Sequence, residues 1–196
     1  RWLRLVDLRN PTTRLPSDVV EVRLETPDGR RAGDDGLLPL AYAGATPPPF
    51  TVTLTNDSDR TLWCALVDLT DAYGIFTDAL PAGSVALGPR ESVTVDLVGQ
   101  VPEALVADGV EATTDHLKVV VSTLEFDPRC LQQEDLDVVA SGASTPTRSL
   151  GEARTTLERL LTTVTTRRLG PAAADAAVAD WRTDDFWVVT SRPRNP

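Results

Sequence analysis

Few residues in this chain have the types and spacing that chemistry needs. Cysteine catalysis requires a thiolate beside an imidazole, and the sequence holds two cysteines, Cys64 and Cys130, and one histidine, His116. Any Cys–His or Ser–His–Asp site must therefore use His116. Neither cysteine lies in a recognised nucleophile motif. Cys64 sits between Trp63 and Ala65 in an apolar run, so it reads as a small core residue, and His116 as the residue that enters a strand. Gly-x-Ser-x-Gly is absent, and Ser122 falls inside a strand pattern. Structural zinc takes four Cys or His ligands, and this chain offers three, widely spaced. Acid pairs occur at Asp34/Asp35, Asp57/Asp59, Asp68/Asp71 and Asp184/Asp185. Each could help hold Ca²⁺, but none has EF-hand spacing, and they read as turn and surface acids. Spacing selects no carboxylate pair for glycoside hydrolysis, and no Gly-rich phosphate loop is present. Trp63, Tyr73, Phe76, Phe126, Trp181, Phe186 and Trp187 could line a ligand groove but read first as core. The sequence thus assigns no catalytic, cofactor-binding or metal-ligating residue, and the expectation is a non-enzymatic chain without a cofactor.

The elements that would position these residues are mostly strands. Phe50, Val52 and Leu54 alternate with Thr51, Thr53 and Thr55, the period-2 pattern of a strand with one wet face. After the Asn56–Asp59 turn, Thr61–Leu69 is apolar on both faces, as in a central strand covered on both sides. Tyr73–Leu80, Val85–Leu87, Ser92–Leu97 and Leu117–Leu124 follow as further strands, separated by Pro/Gly turns. Upstream, Asp18–Thr26 alternates up to the Pro27-Asp28-Gly29 turn, and Leu37–Tyr42 makes a short strand. Arg1–Asn10 alternates loosely around Trp2, Leu3, Leu5, Val6 and Leu8. The character changes after Pro128. Ser141–Thr147 is a connector by composition. Ser149 and Glu152 have capping-box spacing, and Leu150 to Val164 carries an apolar stripe of helical period. Gly170-Pro171 breaks it, Pro171–Trp181 is Ala-rich and suits a second helix, and Asp185–Arg192 reads as a final strand. The fold class expected is mainly β: an antiparallel β-sandwich, Ig-like or related, with one or two helices in the C-terminal third. Residues 1–139 form the sandwich (strongest block 50–127), 140–148 a connector, and 149–196 a helix-containing segment packed on the same domain.

The chain has 196 residues, enough for one domain with a real core. Its net charge of −10 argues against nucleic acid, which is met with clustered Lys and Arg, and against a basic face for anionic membranes. No run of 18 apolar residues exists, so no membrane span is expected. Lys118 is the sole lysine and Met is absent, the coding bias of a GC-rich genome. Two cysteines do not make a disulfide scaffold; the expectation is unbridged thiols and a cytoplasmic location. The start at Arg1 without Met suggests a fragment, a trimmed chain or a processed product.

The Phe50–Asp127 block resembles the β-rich, DUF4384-like accessory domain found beside the peptidase in actinobacterial caspase-family proteins. The residues that carry the resemblance are ordered: Asn56-Asp57-Ser58-Asp59 at a strand end, Leu62 to Thr70 as an aromatic-bearing strand ending in an acid, Tyr73-Gly74-Ile75, the Leu80-Pro81-Ala82-Gly83 turn, and the closing strand Asp115 to Ser122. The flanking segments resemble the region after the peptidase more weakly. The resemblance implies that the catalytic His and Cys lie outside this chain. It implies a non-catalytic accessory, interaction or regulatory domain, with the caspase-like domain of the same polypeptide or complex as protein partner. Because relatives of that class cut after Arg or Lys, it also implies that the chain is a released C-terminal piece. Two other functions remain open: a carbohydrate- or small-ligand-binding sandwich using Trp63 or Trp187, and a hydrolase using His116.

Overall fold

The computed structural model describes residues 2–135 and 180–192, and the architecture is a two-sheet β-sandwich. The first sheet grows from the Phe50 alternation. Strand β3 (Pro49–Asn56) buries Phe50, Val52, Leu54 and Asn56 and leaves its threonines half-buried. It is flanked antiparallel by β1 (Val20–Glu25) and β7 (Ser92–Val98). On the wet face Thr53 and Thr55 hydroxyls lie 2.9 Å from those of Thr94 and Ser92, so the alternation pins the register with polar pairs outside and apolar pairs inside.

The second sheet runs β2 (Leu37–Ala41), β9 (Trp181–Ser191), β8 (Ala112–Ser122), β4 (Leu62–Leu69), β5 (Ile75–Phe76), with β6 (Ser84–Leu87) also on β4. β4 and β8 are apolar on both faces because both faces are covered. Leu62, Cys64, Leu66, Leu117, Val119 and Val121 point between the sheets. Ala65, Val67, Leu69 and Val120 point outward and are covered by Leu5 and Leu131. Asn56 ties the sheets together at one corner. Its side-chain amide donates to the carbonyls of Arg60, Leu87 and Gly88, and its Oδ1 accepts from Ser58. No helix among the described residues is long and apolar enough to cross a membrane.

Several sequence expectations change. The sandwich is not wholly antiparallel, because β2 runs parallel to β9. Residues 2–6 form a short helix, α1 (Trp2–Val6), whose Leu5 inserts into the outer cluster. The Tyr73–Leu80 strand shrinks to β5, because Tyr73 adopts φ 64° to turn the chain. β8 starts at Ala112, so His116 lies within the strand rather than at its entry. β9 starts at Trp181, so the residue at which the expected second helix would end is instead paired with Ser122. The connector 140–148 and the helix opened by Ser149 lie outside the described residues. A further short helix, α2 (Glu103–Ala107), joins β7 to β8.

Candidate functional site

Alternation along β4 and β8 sends acids to the inner face and bases to the outer one. Asp68 has the parity of Leu62, Cys64 and Leu66; Asp115 has that of Leu117, Val119 and Val121. Both acids therefore enter the space between the sheets at the end of the core. A cavity of about 370 Å³ lies there. Phe50, Leu66, Leu97, Leu117 and Val188 form its apolar wall, and Asp68, Asp78 and Asp115 supply its charge; Asp96 borders it on β7 but has the wet-face parity of Ser92 and Thr94. Among the described residues, no Lys, Arg or His lines it. Asp78, Asp96 and Val98 are exposed and mark the mouth, between β7 and the segment after β5. Gly99 closes the rim: a Cβ there would collide with the Thr190 hydroxyl and the Leu40 side chain.

The electrostatics follow from this crowding. Burial pushes the Asp68 carboxyl up to about 8, with Asp115, Asp135 and Asp78 adding repulsion. Burial pushes Asp115 up to about 7, with Asp71 and Asp135 adding to it. Asp68 Oδ1 is buried with no hydrogen-bond partner among the described residues. The expectation of turn and surface acids fails for this residue, because strand parity rather than turn composition decides where it points.

The outer face of the same sheet holds the opposite arrangement. Lys118 Nζ and His116 Nε2 lie 2.5 and 2.7 Å from Asp185 Oδ1, and Arg9 lies 2.6 Å from Asp185 Oδ2. The Lys118 and Asp185 side chains are 1% and 11% exposed. Asp185 carries a burial penalty, but bonds from His116 and Lys118 and the charges of Lys118 and Arg9 hold it below the ordinary carboxylate value. Burial pulls Lys118 down, and Asp185 opposes it. The N-terminal segment straps across this cluster. The Leu8 carbonyl accepts from Lys118 and Thr183, and Asn10 Nδ2 donates to the Trp181 carbonyl. Asp184/Asp185 is thus a strand pair, not a turn pair: Asp185 is an ion-pair hub, and Asp184 meets Arg182.

The residues singled out from sequence are not brought together. His116 faces outward, stacked on Trp187 at 5.1 Å, while Cys64 is buried in the inner core with its thiol pushed up to about 12 by burial. Cys130 is exposed, with its Sγ 3.2 Å from the Asp127 carbonyl. The aromatics scatter: Phe76 reaches the cavity, Trp181 is buried, Tyr73 meets Trp2 edge-on, and Trp187 is 37% exposed on the outer face. Among the described residues, no three of His, Cys, Asp and Glu are arranged to hold a metal ion.

The second feature of this end is β7 itself, an edge strand among the described residues. Gly99 N donates to the Pro48 carbonyl and Asn56 N to the Glu91 carbonyl, both in the register of the β3–β7 ladder. Odd-numbered residues of β7 therefore bond to β3, and the N–H and C=O groups of Ser92, Thr94, Asp96 and Val98 face the open edge. That edge ends at the cavity mouth.

No family model and no curated protein matches this chain. Among solved structures, the chain is similar to the ASH / PapD-like domain of human CEP192 (PapD-like domain 7), at 11% identity and a TM-score of 0.42, covering 96% of this chain and 95% of that one.

Proposed function

We propose that this chain is a non-catalytic interaction module that recruits an extended segment of a partner protein along the β7 edge. The observation that carries this reading is the row of backbone groups on β7 that no described residue pairs, ending beside a cavity that can take a side chain. An open edge is a standing invitation to pair, and main-chain bonds supply affinity whatever the partner's sequence. The scatter of Cys64, Cys130 and His116 over different surfaces supports a recruiting rather than a hydrolytic role.

The finer reading places the partner in a caspase-like peptidase domain of the same polypeptide or complex. The ordered resemblance across Phe50–Asp127 supports it, and so does the break of that resemblance from any His- and Cys-bearing catalytic signature. Reading the gene upstream of Arg1 tests the partner: a neighbouring domain without a caspase-type His–Cys pair removes it. Co-expression with that domain tests the edge. Thr94→Pro removes an outward N–H that β3 does not use, and edge strands tolerate proline there. Co-elution with the wild type and its loss with Thr94→Pro is the expected result; co-elution unchanged by Thr94→Pro moves the contact away from β7.

A further inference from the structure

The wall and the charges of the cavity say what kind of side chain the recruited segment brings. A strand added beyond β7 alternates its side chains across the sheet, and those on the inner side lie beside Val95 and Leu97, the latter at the cavity mouth. Phe50, Leu66 and Leu97 offer an apolar channel; Asp68 and Asp115 wait at its depth. A long basic side chain has this division of character, with an apolar stem and a charged head. A volume of about 370 Å³ is at the small end of ligand pockets, which run roughly 300–1,000 Å³.

We propose that the cavity receives the guanidinium- or ammonium-bearing side chain of an extended, basic peptide segment that pairs with the β7 edge.

This rests on the edge-recruitment reading above and adds the chemistry of the guest. Three observations converge on it. Among the described residues, three acids (Asp68, Asp78 and Asp115) face the cavity and no base lines it, so a cation entering meets no repulsion from them. Asp68 Oδ1 is shut from solvent with no donor among the described residues, and a guanidinium supplies several in a planar fork. The acid placement contrasts with Asp185, on the same sheet, which has three basic partners of its own. The raised Asp68 and Asp115 carboxyls fit a site whose counter-charge comes from outside, since an arriving cation releases their protons.

The test uses the full chain at pH 8.5 and three capped Thr/Val peptides followed by fluorescence anisotropy: one with a central arginine, its neutral citrulline twin, and the arginine peptide with alternate backbone amides N-methylated. The arginine peptide is expected to bind about tenfold more tightly than the citrulline twin. Asp68→Asn with Asp115→Asn should erase that preference; thermal melts of the double variant report that it is folded, since neither substitution removes a paired group. Equal binding of arginine and citrulline peptides overturns the cavity proposal and leaves the edge reading standing. Tight binding of the N-methylated arginine peptide overturns the edge reading. Binding by none of the three overturns both.

Discussion

The two faces of the β4–β8–β9 layer handle charge in opposite ways. Outside, Asp185 accepts from Lys118 and His116 and pairs with Arg9, under a strap made by the N-terminal segment. Inside, Asp68 and Asp115 share a cavity with Asp78, and among the described residues no cation lines it. His116 and Asp115 are neighbours in sequence, yet they belong to these two different worlds. The outer cluster is complete: breaking it leaves a buried charge without a partner. The inner one is incomplete, and its strain is relieved only by a proton or by a cation from elsewhere. Completeness separates a structural charge cluster from a receptive one, and perturbed carboxyls in a cavity are the receptive kind.

The largest effect that can break this contrast is at the hub. Asp185→Ala leaves Lys118 buried and uncompensated and should cost about 3–5 kcal/mol in urea unfolding. Replacing Lys118 and Asp185 together by Met and Leu should cost much less; an equal loss would mean that packing, not charge, dominates there.

On the inner face the sign reverses. Asp68→Asn should stabilise the fold by roughly 1–2 kcal/mol at pH 8.5, because it removes a carboxylate that burial opposes. A carboxyl raised in the folded state binds more protons folded than unfolded between about pH 4 and its folded value. The wild type therefore loses stability as pH climbs through that window, up to about 7 for Asp115 and about 8 for Asp68. Below about pH 4 this penalty is gone. The gap between wild type and Asp68→Asn should thus widen from pH 5 to pH 8.5; a constant gap would place Asp68 in ordinary solvent.

The same window sharpens the binding side. Affinity for the arginine peptide should rise several-fold, on the order of what one charge pair contributes, between pH 6 and pH 8.5. The charged groups that act on Asp68 and Asp115 over this range are acids: Asp71, Asp78 and Asp135, besides each other. A flat profile would argue that the guest's charge is not read. The smallest effect belongs to exposed pairs. Arg23→Ala breaks the half-exposed Arg23–Glu21 pair on β1 and should leave the urea midpoint essentially unchanged.

Much of the sandwich was legible in strand alternation. Phe50, Val52 and Leu54 point inward as their period requires, and the two-sided apolar run around Cys64 is a strand covered on both faces. The candidate site was half legible. Asp68 and Asp115 stand at the inward parity of two apolar strands, a signal present in the sequence but masked by reading acids through turn composition. Lys118, as the lone lysine amid Val119, Val120 and Val121, carried a similar signal for the outer cluster.

By itself the sequence determined the strands, their wet and dry faces and the turns between them, because these depend on neighbours two to four residues away. Only the tertiary structure decided that β9 inserts between β2 and β8, parallel to one and antiparallel to the other. It alone decided that Asp185 meets Lys118 across 67 residues of chain, and that Asp68 meets no cation among the described residues. Pairing across such distances follows from how two sheets close over a shared core, and local periodicity holds no record of which strand will lie beside which.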